Sequence, residues 1–295
     1  MRIMLTGANG QVGWELARSL MPLGEVIALT RSQCDLSHPE TLPGLVNQIK
    51  PEIIINAAAY TAVDKAEEEE ELATIINGTS VGVLAEEAKK HNALFVHYST
   101  DYVFDGSKDT PYIEEDTANP INAYGRSKLA GESAIQQIGH DYLIIRTAWV
   151  YATRGKNFLN TIIRLAQERN ELSIVADQIG NPTWARYIAE ATAHCVRSCI
   201  LDQEKQQLKS QIYHLTSNGD VSWYDFAKFI VTYLVNRNNE DKSTCKIYPI
   251  KTSDYKTLAK RPNNSCLSTH KIEKAFGLIT PNWMQAVKLC LDDIQ

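Results

Sequence analysis

Thr6-Gly7-Ala8-Asn9-Gly10-Gln11-Val12-Gly13 stands between a short apolar run and an amphipathic period. Arg2 to Leu5 reads as a strand and Gln11 to Ser19 as a helix, so the three glycines occupy a strand-to-helix turn. Glycine lets a backbone turn sharply and come close to a ligand, and a helix N-terminus presents unpaired N–H groups and partial positive charge. In that setting Gly7, Gly10 and Gly13, with Gln11 and Val12 between them, predict a cradle for the pyrophosphate of a dinucleotide.

Outward from the cradle the pattern repeats. Glu25 to Leu29, Glu52 to Asn56, Leu94 to Ser99 and Tyr142 to Arg146 read as further strands, separated by helical periods such as Leu42 to Ile49. Their β-branched runs suit strands covered on both faces. The expected fold class is α/β, a Rossmann-type doubly wound parallel sheet with right-handed crossovers and a smaller C-terminal α/β substrate lobe. Residues 1–150 are read as the dinucleotide-binding domain. Residues 151–295 are read as mainly the substrate lobe, with some segments returning to the first domain. That lobe would hold the shorter strands Leu172 to Val175, Ile212 to Leu215 and Lys246 to Ile250, and the helices Trp223 to Leu234 and Trp283 to Leu291. Leu201 to Ser210 and Asn236 to Thr244 are polar enough to read as exposed loops, and Glu67 to Glu71 as a solvated helix face.

Composition narrows the function. Thirty Lys plus Arg against 35 Asp plus Glu give a net charge of -5, without the basic surplus that nucleic-acid binding requires. The longest apolar runs fall well short of the roughly 20 residues of a membrane span. Met1 to Gly7 lacks a signal-peptide core and cleavage site, so a cytoplasmic protein is expected. The six cysteines form no C-x-x-C pair and are read as free thiols. His194, Cys195 and Cys199 offer no fourth ligand, and no metal site is assigned from them.

About 20 residues beyond the glycines, the end of the second strand would carry an acid if a ribose 2′-hydroxyl were read there. The chain has Thr30-Arg31-Ser32 instead. Arg31 beside hydroxyls suits a 2′-phosphate, which favours NADPH with NADH possible, although an arginine there can equally stand in solvent. Asp35 and Leu36 are placed to meet the adenine edge. The small residues Ala57, Ala58 and Ala59 would let backbone lie against the cofactor, or serve close helix packing. Tyr124 and Lys128 are four apart at a helix start and share one face. A phenol with an ordinary pKa near 10 exchanges protons near neutrality only with positive charge beside it, which Lys128 and an oxidised nicotinamide would supply. Thr100 follows the Leu94 strand at the carboxyl edge of the sheet, where open α/β sheets bind ligands, and would hydrogen-bond a substrate carbonyl.

These segments together resemble the extended short-chain dehydrogenase/reductases and, more narrowly, the dTDP-4-dehydrorhamnose reductase family. The resemblance runs through Gly7 to Glu15 (GANGQVGWE), Asn56 to Glu67 (NAAAYTAVDKAE), His97 to Asp105 (HYSTDYVFD), Tyr124 to Glu132 (YGRSKLAGE), Arg146 to Tyr151 (RTAWVY) and Asp177 to Thr183 (DQIGNPT). Arg261-Pro262 with Ser265 and Leu267 extends it to nearly the whole chain. It implies NAD(P)H-dependent reduction of dTDP-4-dehydro-6-deoxy-L-mannose to dTDP-L-rhamnose, a precursor of surface polysaccharide. By matching position, Gly10, Gln11, Val12, Asp35, Leu36 and Ala57 to Ala59 would contact cofactor. Tyr124 and Lys128 would be the catalytic pair, Thr100 and Asp101 would meet the sugar, and Trp149 would lie against the substrate. Without the family, Trp149 reads as a core residue. The resemblance also raises a homodimer and Mg²⁺, with Glu15, Glu190 and Asp293 where such acids could stand. Exposed carboxylates need no ion, and no Mg²⁺ site is assigned. A non-catalytic NADP-binding subunit similar to the beta subunit of methionine adenosyltransferase is the alternative, and the intact Thr100, Tyr124 and Lys128 argue against it. An epimerase or 4,6-dehydratase, which would oxidise the sugar before reducing it and keep NAD bound, is the other rival, and for a dehydratase Thr100-Asp101-Tyr102 lacks the expected glutamate.

Overall fold

The computed structural model describes residues 1–204, 210–238 and 245–294. Its first half runs β1 (Arg2–Thr6), α1 (Gln11–Ser19), β2 (Glu25–Leu29), α2 (Leu42–Ile49), β3 (Ile53–Asn56), α3 (Ser80–Lys90), β4 (Leu94–Thr100), α4 (Ala123–Ile138) and β5 (Tyr142–Thr147). It continues with α5 (Phe158–Glu168), β6 (Glu171–Val175), α6 (Ala185–Glu204), β7 (Gln211–His214), α7 (Trp223–Asn238), β8 (Lys246–Ile250), α8 (His270–Phe276) and α9 (Trp283–Asp292).

Six strands form one parallel sheet in the order β7-β5-β4-β3-β1-β2. The period of two along β3 explains why it must be covered twice. Ile53 and Ile55 pack with Leu16 of α1 and Ile188 and Val196 of α6, whereas Ile54 packs with Val46 of α2 and Leu84 of α3. Chain direction across the sheet reverses at β1, which has β2 on one side and β3 on the other. The carboxyl ends of β1 and β3 therefore open a crevice at the topological switch point.

The second lobe is built on the parallel pair β6 and β8, with α5, α7 and α9 sharing a cluster of Leu159, Phe226, Ile230, Trp283 and Val287. Ile212 to Leu215, read from sequence as a short strand of this lobe, instead supplies β7 to the central sheet, pairing with β5. It is preceded by α6, whose Ile188 and Val196 pack with Leu16 of α1, so residues beyond 150 complete both the sheet and one of its covering layers. The loop expected from Leu201 to Ser210 is partly helix, because α6 continues to Glu204. Gln, Lys and Glu are good helix formers whose polarity resembles that of a loop. Likewise α7 continues to Asn238, and the rest of the segment expected from Asn236 to Thr244 lies outside the described residues. All six cysteines are buried and none is in a disulfide. Among the described residues no helix is long and apolar enough to cross a membrane.

The glutamate run from Glu67 to Glu71 does more than meet water. Glu67 Oε1 accepts from the Ala123 N–H at 2.8 Å, and Glu70 takes both Arg126 Nε and Nη2 at 2.7 and 2.9 Å. Asn122 caps the same helix start, its Oδ1 accepting from the Gly125 N–H at 2.7 Å. Further along α4, Glu132 receives Arg146 of β5 through two parallel bonds of 2.9 and 2.6 Å, with both side chains buried. Removing one partner of a buried pair leaves the other charge without water or counterion. Glu132→Ala should therefore lower the unfolding free energy by about 3–5 kcal/mol, read by urea denaturation. A loss below about 1 kcal/mol would show that the pair does not fix the helix.

Candidate active site

A cavity of about 590 Å³ occupies the crevice at the switch point. Its floor is the glycine turn. Gly7 has φ +69°, and a Cβ there would lie 2.7 Å from the Ala58 nitrogen. A Cβ on Gly13 would lie 2.1 Å from the Gly7 oxygen, so the third glycine is required for the turn to close even though it does not line the cavity. No side chain caps α1 and its first turn contains no acid, which leaves its amino end open toward the cavity.

The structure brings the predicted cofactor residues together. Gly7, Gly10, Gln11, Val12, Arg31, Asp35, Leu36, Ala57, Ala58, Ala59, Tyr124 and Lys128 all line the one cavity. Arg31 extends into solvent, 72% exposed, with Nε 3.3 Å from Asp35 Oδ2. The backbone N–H of Ser37 is the main group holding the Asp35 carboxyl below its usual range. One end of the cavity thus presents a carboxylate and a guanidinium side by side. Open N–H groups, glycine backbone and the cations Arg31, Lys128 and Lys156 fit a dinucleotide with its pyrophosphate on α1.

Several lining residues escaped the sequence. Gly155 and Lys156 belong to a loop that roofs the cavity. That loop is tied to α1 because Arg154 stacks 3.4 Å from the Trp14 ring centre and Asn157 Nδ2 donates to Gln11 Oε1 at 2.8 Å. Ser99 and Thr147 line the carboxyl edge, and their hydroxyls are buried without a partner in the protein. Asn77 lies in a π-turn, Ile75–Thr79, bonding both backbone groups of Tyr60 and the Ser127 hydroxyl at 2.9 to 3.0 Å. It thereby ties the loop after β3 to α4. No local pattern marks such a residue, since its partners are 17 and 50 positions away.

Thr100 and Asp101 lie beside the cavity rather than in its wall. The Thr100 hydroxyl donates to Asp101 Oδ1 at 2.9 Å and accepts from the Tyr102 N–H at 3.2 Å. Asp101 is buried, and burial raises its carboxyl to about 7 against the pull of hydrogen bonds from the Ser265 and Thr100 side chains. Burial likewise raises the Tyr124 phenol to about 12, with the Thr100 hydroxyl drawing it down and Asp101 pushing it further up. Lys128 sits on the same face of α4 but turns toward the sheet, donating from Nζ to the Tyr98 carbonyl at 2.6 Å. Burial pushes it down to about 8, opposed by Glu132. In this arrangement Lys128 does not lower the tyrosine. The phenol keeps its proton, the state a proton donor needs.

Trp149 is placed apart from the cavity wall. It has φ +44°, and its ring lies 3.4 Å from that of Trp223 at 6°. Glu15 and Asp293 lie on either side of one guanidinium. They share Arg186, with Nε 3.4 Å from Glu15 and Nη1 2.6 Å from Asp293, while Glu190 is exposed. Their charge is met by a guanidinium here, and no Mg²⁺ site is assigned to them. Among the described residues no group of three or more His, Cys, Asp or Glu is placed to hold a metal ion.

A parallel sheet with a glycine cradle at its switch point and a Tyr-x-x-x-Lys helix along its carboxyl edge defines a dinucleotide-dependent oxidoreductase of the short-chain dehydrogenase/reductase kind. The family model described as the RmlD substrate binding domain matches residues 1–295. A dTDP-4-dehydrorhamnose reductase of Burkholderia thailandensis is 52% identical, over 100% of this chain and 99% of its own. Two solved structures bearing the same enzyme name are also similar. That from Clostridium acetobutylicum has TM-score 0.89 at 36% identity, covering 100% of both chains, and that from Bacillus anthracis, in complex with NADP, has TM-score 0.87 at 33% identity, covering 99% of both. The chain belongs to the dTDP-4-dehydrorhamnose reductase family.

The raised carboxyl of Asp101 carries a sign that stability measurements read. An unfolded aspartate ionises near pH 4, whereas the folded one retains its proton to about 7. The native state then binds more protons between these values, and its stability falls as pH rises through that window. Asp101→Asn should lose this slope, gaining on the wild type by up to roughly 1.4 kcal/mol per pH unit across it and no further above it. Parallel pH dependences of the two proteins in denaturant titrations would refute the assignment.

Proposed function

We propose that this reductase converts the C4 ketone of dTDP-4-dehydro-6-deoxy-L-mannose to the alcohol of dTDP-L-rhamnose. The observation that carries this reading is the place of Tyr124, which lines the cavity at the carboxyl edge of the sheet together with Lys128 and the glycine turn. When bound, NAD(P)H supplies a hydride to C4. Tyr124 gives the proton that the ketone oxygen acquires, and it is used as negative charge develops there. Thr100 holds that oxygen by turning its hydroxyl from Asp101, which then serves the sugar hydroxyls. Lys128 binds the nicotinamide ribose and carries the positive charge of the pair. The glycine turn with Gln11 and Val12 holds the pyrophosphate, Ala57 to Ala59 flank the cofactor, and Asp35 and Leu36 meet its adenosine end.

Arg31 supports NADPH as the preferred cofactor with NADH also used, because an exposed guanidinium at the adenosine end suits a 2′-phosphate. Residues 1–150 act as the cofactor domain and 151–295 mainly as the substrate lobe, apart from α6 and β7. Trp149 meets the substrate at the border of that lobe once its face is freed from Trp223.

The test is loss of NADPH or NADH absorbance when the protein meets dTDP-4-dehydro-6-deoxy-L-mannose made in situ, with the product identified by mass and NMR. Formation of dTDP-L-rhamnose is expected, and cofactor binding without oxidation would overturn the reaction. Tyr124→Phe should reduce turnover by about 10²–10⁴-fold while cofactor affinity stays nearly unchanged. A variant with near-wild-type turnover would remove Tyr124 from the role. Arg31→Ala should weaken NADPH by about tenfold and NADH much less, as read by fluorescence titration. Equal losses for both cofactors would refute the preference.

A further inference from the structure

Asn56 and His97 lie buried behind Lys128 and take no part in the reduction as derived above. Asn56 ends β3, and its Oδ1 accepts from the Thr6 hydroxyl at 2.6 Å and from the Ala58 N–H at 3.2 Å. The Ala58 N–H, which can only donate and is shared with Thr6 Oγ1 at 3.4 Å, favours the amide oxygen on its side, which leaves the Asn56 NH₂ for its other neighbour. That neighbour is His97 Nδ1, at 3.1 Å. A neutral imidazole carries one proton, and with Nδ1 accepting, the proton resides on Nε2. Burial and the nearby Lys128 keep His97 neutral. Nε2 lies 3.2 Å from Lys128 Nζ, so the lysine meets an N–H where a lone pair would have held an ammonium. An amine can accept that N–H, whereas an ammonium has no acceptor to offer it.

We infer that Asn56 and His97 are positioning residues that favour the amine form of Lys128, making its ammonium acid enough to return to Tyr124 the proton the phenol gives up. The inference rests on the Tyr124 and Lys128 roles proposed above. An N–H bond of the ammonium breaks, an O–H bond forms on the phenolate, and the amine left behind is held by the His97 N–H until water at the cavity reprotonates it. His97 is not itself a shuttle, because its second nitrogen is blocked by a donor. The other groups around Lys128 differ in effect. Glu132 on its own helix raises its proton affinity and is tied to Arg146 of β5, Tyr124 lies one turn before it, Asp101 follows β4, and the Tyr98 carbonyl accepts from its amine in either state.

The first test needs no turnover. Nitrogen NMR of the full-length, cofactor-free protein labelled with ¹⁵N-histidine should show His97 near neutral pH with its proton on Nε2 and a bare Nδ1. A proton on Nδ1, or an imidazolium, would overturn the inference. Asn56→Asp keeps an acceptor for Thr6 and Ala58 but forces the proton onto Nδ1, turning a lone pair toward Lys128. The alkaline limb of the kcat profile should then move up by about one pH unit or more. An inverted tautomer with an unmoved profile would refute the proposed effect on the lysine. If Asn56→Asp does not fold, His97→Gln places a carbonyl oxygen within reach of Lys128 and should move the profile the same way, and an unmoved profile would again be contrary. Lys128→Met separates the two readings. Wild-type turnover there would remove the lysine from the chemistry, and with it the proposed proton return, while leaving the histidine tautomer to be read on its own.

Discussion

The two-pronged bond between Glu132 and Arg146 is the constraint on which the site depends. A tyrosine and a lysine one helical turn apart define a site only if the helix can neither slide nor roll along the sheet, and apolar packing tolerates small slips that a buried fork does not. An ion pair in this position gains little net stability over a well-packed apolar pair, because both charges are stripped of water. Its consequence is geometric, since any other register of α4 strands two charges in the interior. At the amino end Glu67, Glu70 and the Asn122 cap supply the complementary restraint, so Tyr124 and Lys128 lie between two fixed points.

Burial then acts on the groups carried to this edge with opposite sign on acids and bases. It lifts Asp101 to about 7 and Tyr124 to about 12, and it lowers Lys128 to about 8. Asp101 and Lys128, ordinarily more than six pH units apart, are brought close together, whereas Tyr124 and Lys128, ordinarily alike, are driven apart with the phenol the weaker acid. The same desolvation that costs stability sets the sign of the free-energy steps between neighbouring proton carriers.

Much of the architecture was legible because its signals are local. The first five strands are bounded within one residue of their reading, since each is a short run rich in β-branched and apolar residues between more polar or glycine-containing segments. Gly7 to Gly13 and the Tyr124 and Lys128 spacing were legible for a similar reason, as each states a geometric need within a few positions. What escaped depends on distant partners. Nothing near Ile212 says that β7 joins the central sheet, and nothing near Glu67 says that its carboxylate caps a helix 56 positions on. Asn56 and His97 are polar interruptions in strands, and only their neighbouring register makes them a couple. The Trp149 stack on Trp223 is equally invisible, because it joins residues 74 positions apart.

The six buried thiols have a consequence for how this protein fails. Burial raises the proton affinity of Cys195 and Cys245, and takes Cys34 to about 11 and Cys266 and Cys290 to about 12, so oxidants meet buried thiols rather than open thiolates. Resistance to oxidation therefore belongs to the native packing rather than to the sulfur atoms. A global opening exposes all six together at ordinary reactivity, and cross-linking between opened chains can then outrun refolding. The lifetime of the enzyme under oxidative stress is accordingly set by how often the molecule opens, a kinetic property distributed over both lobes.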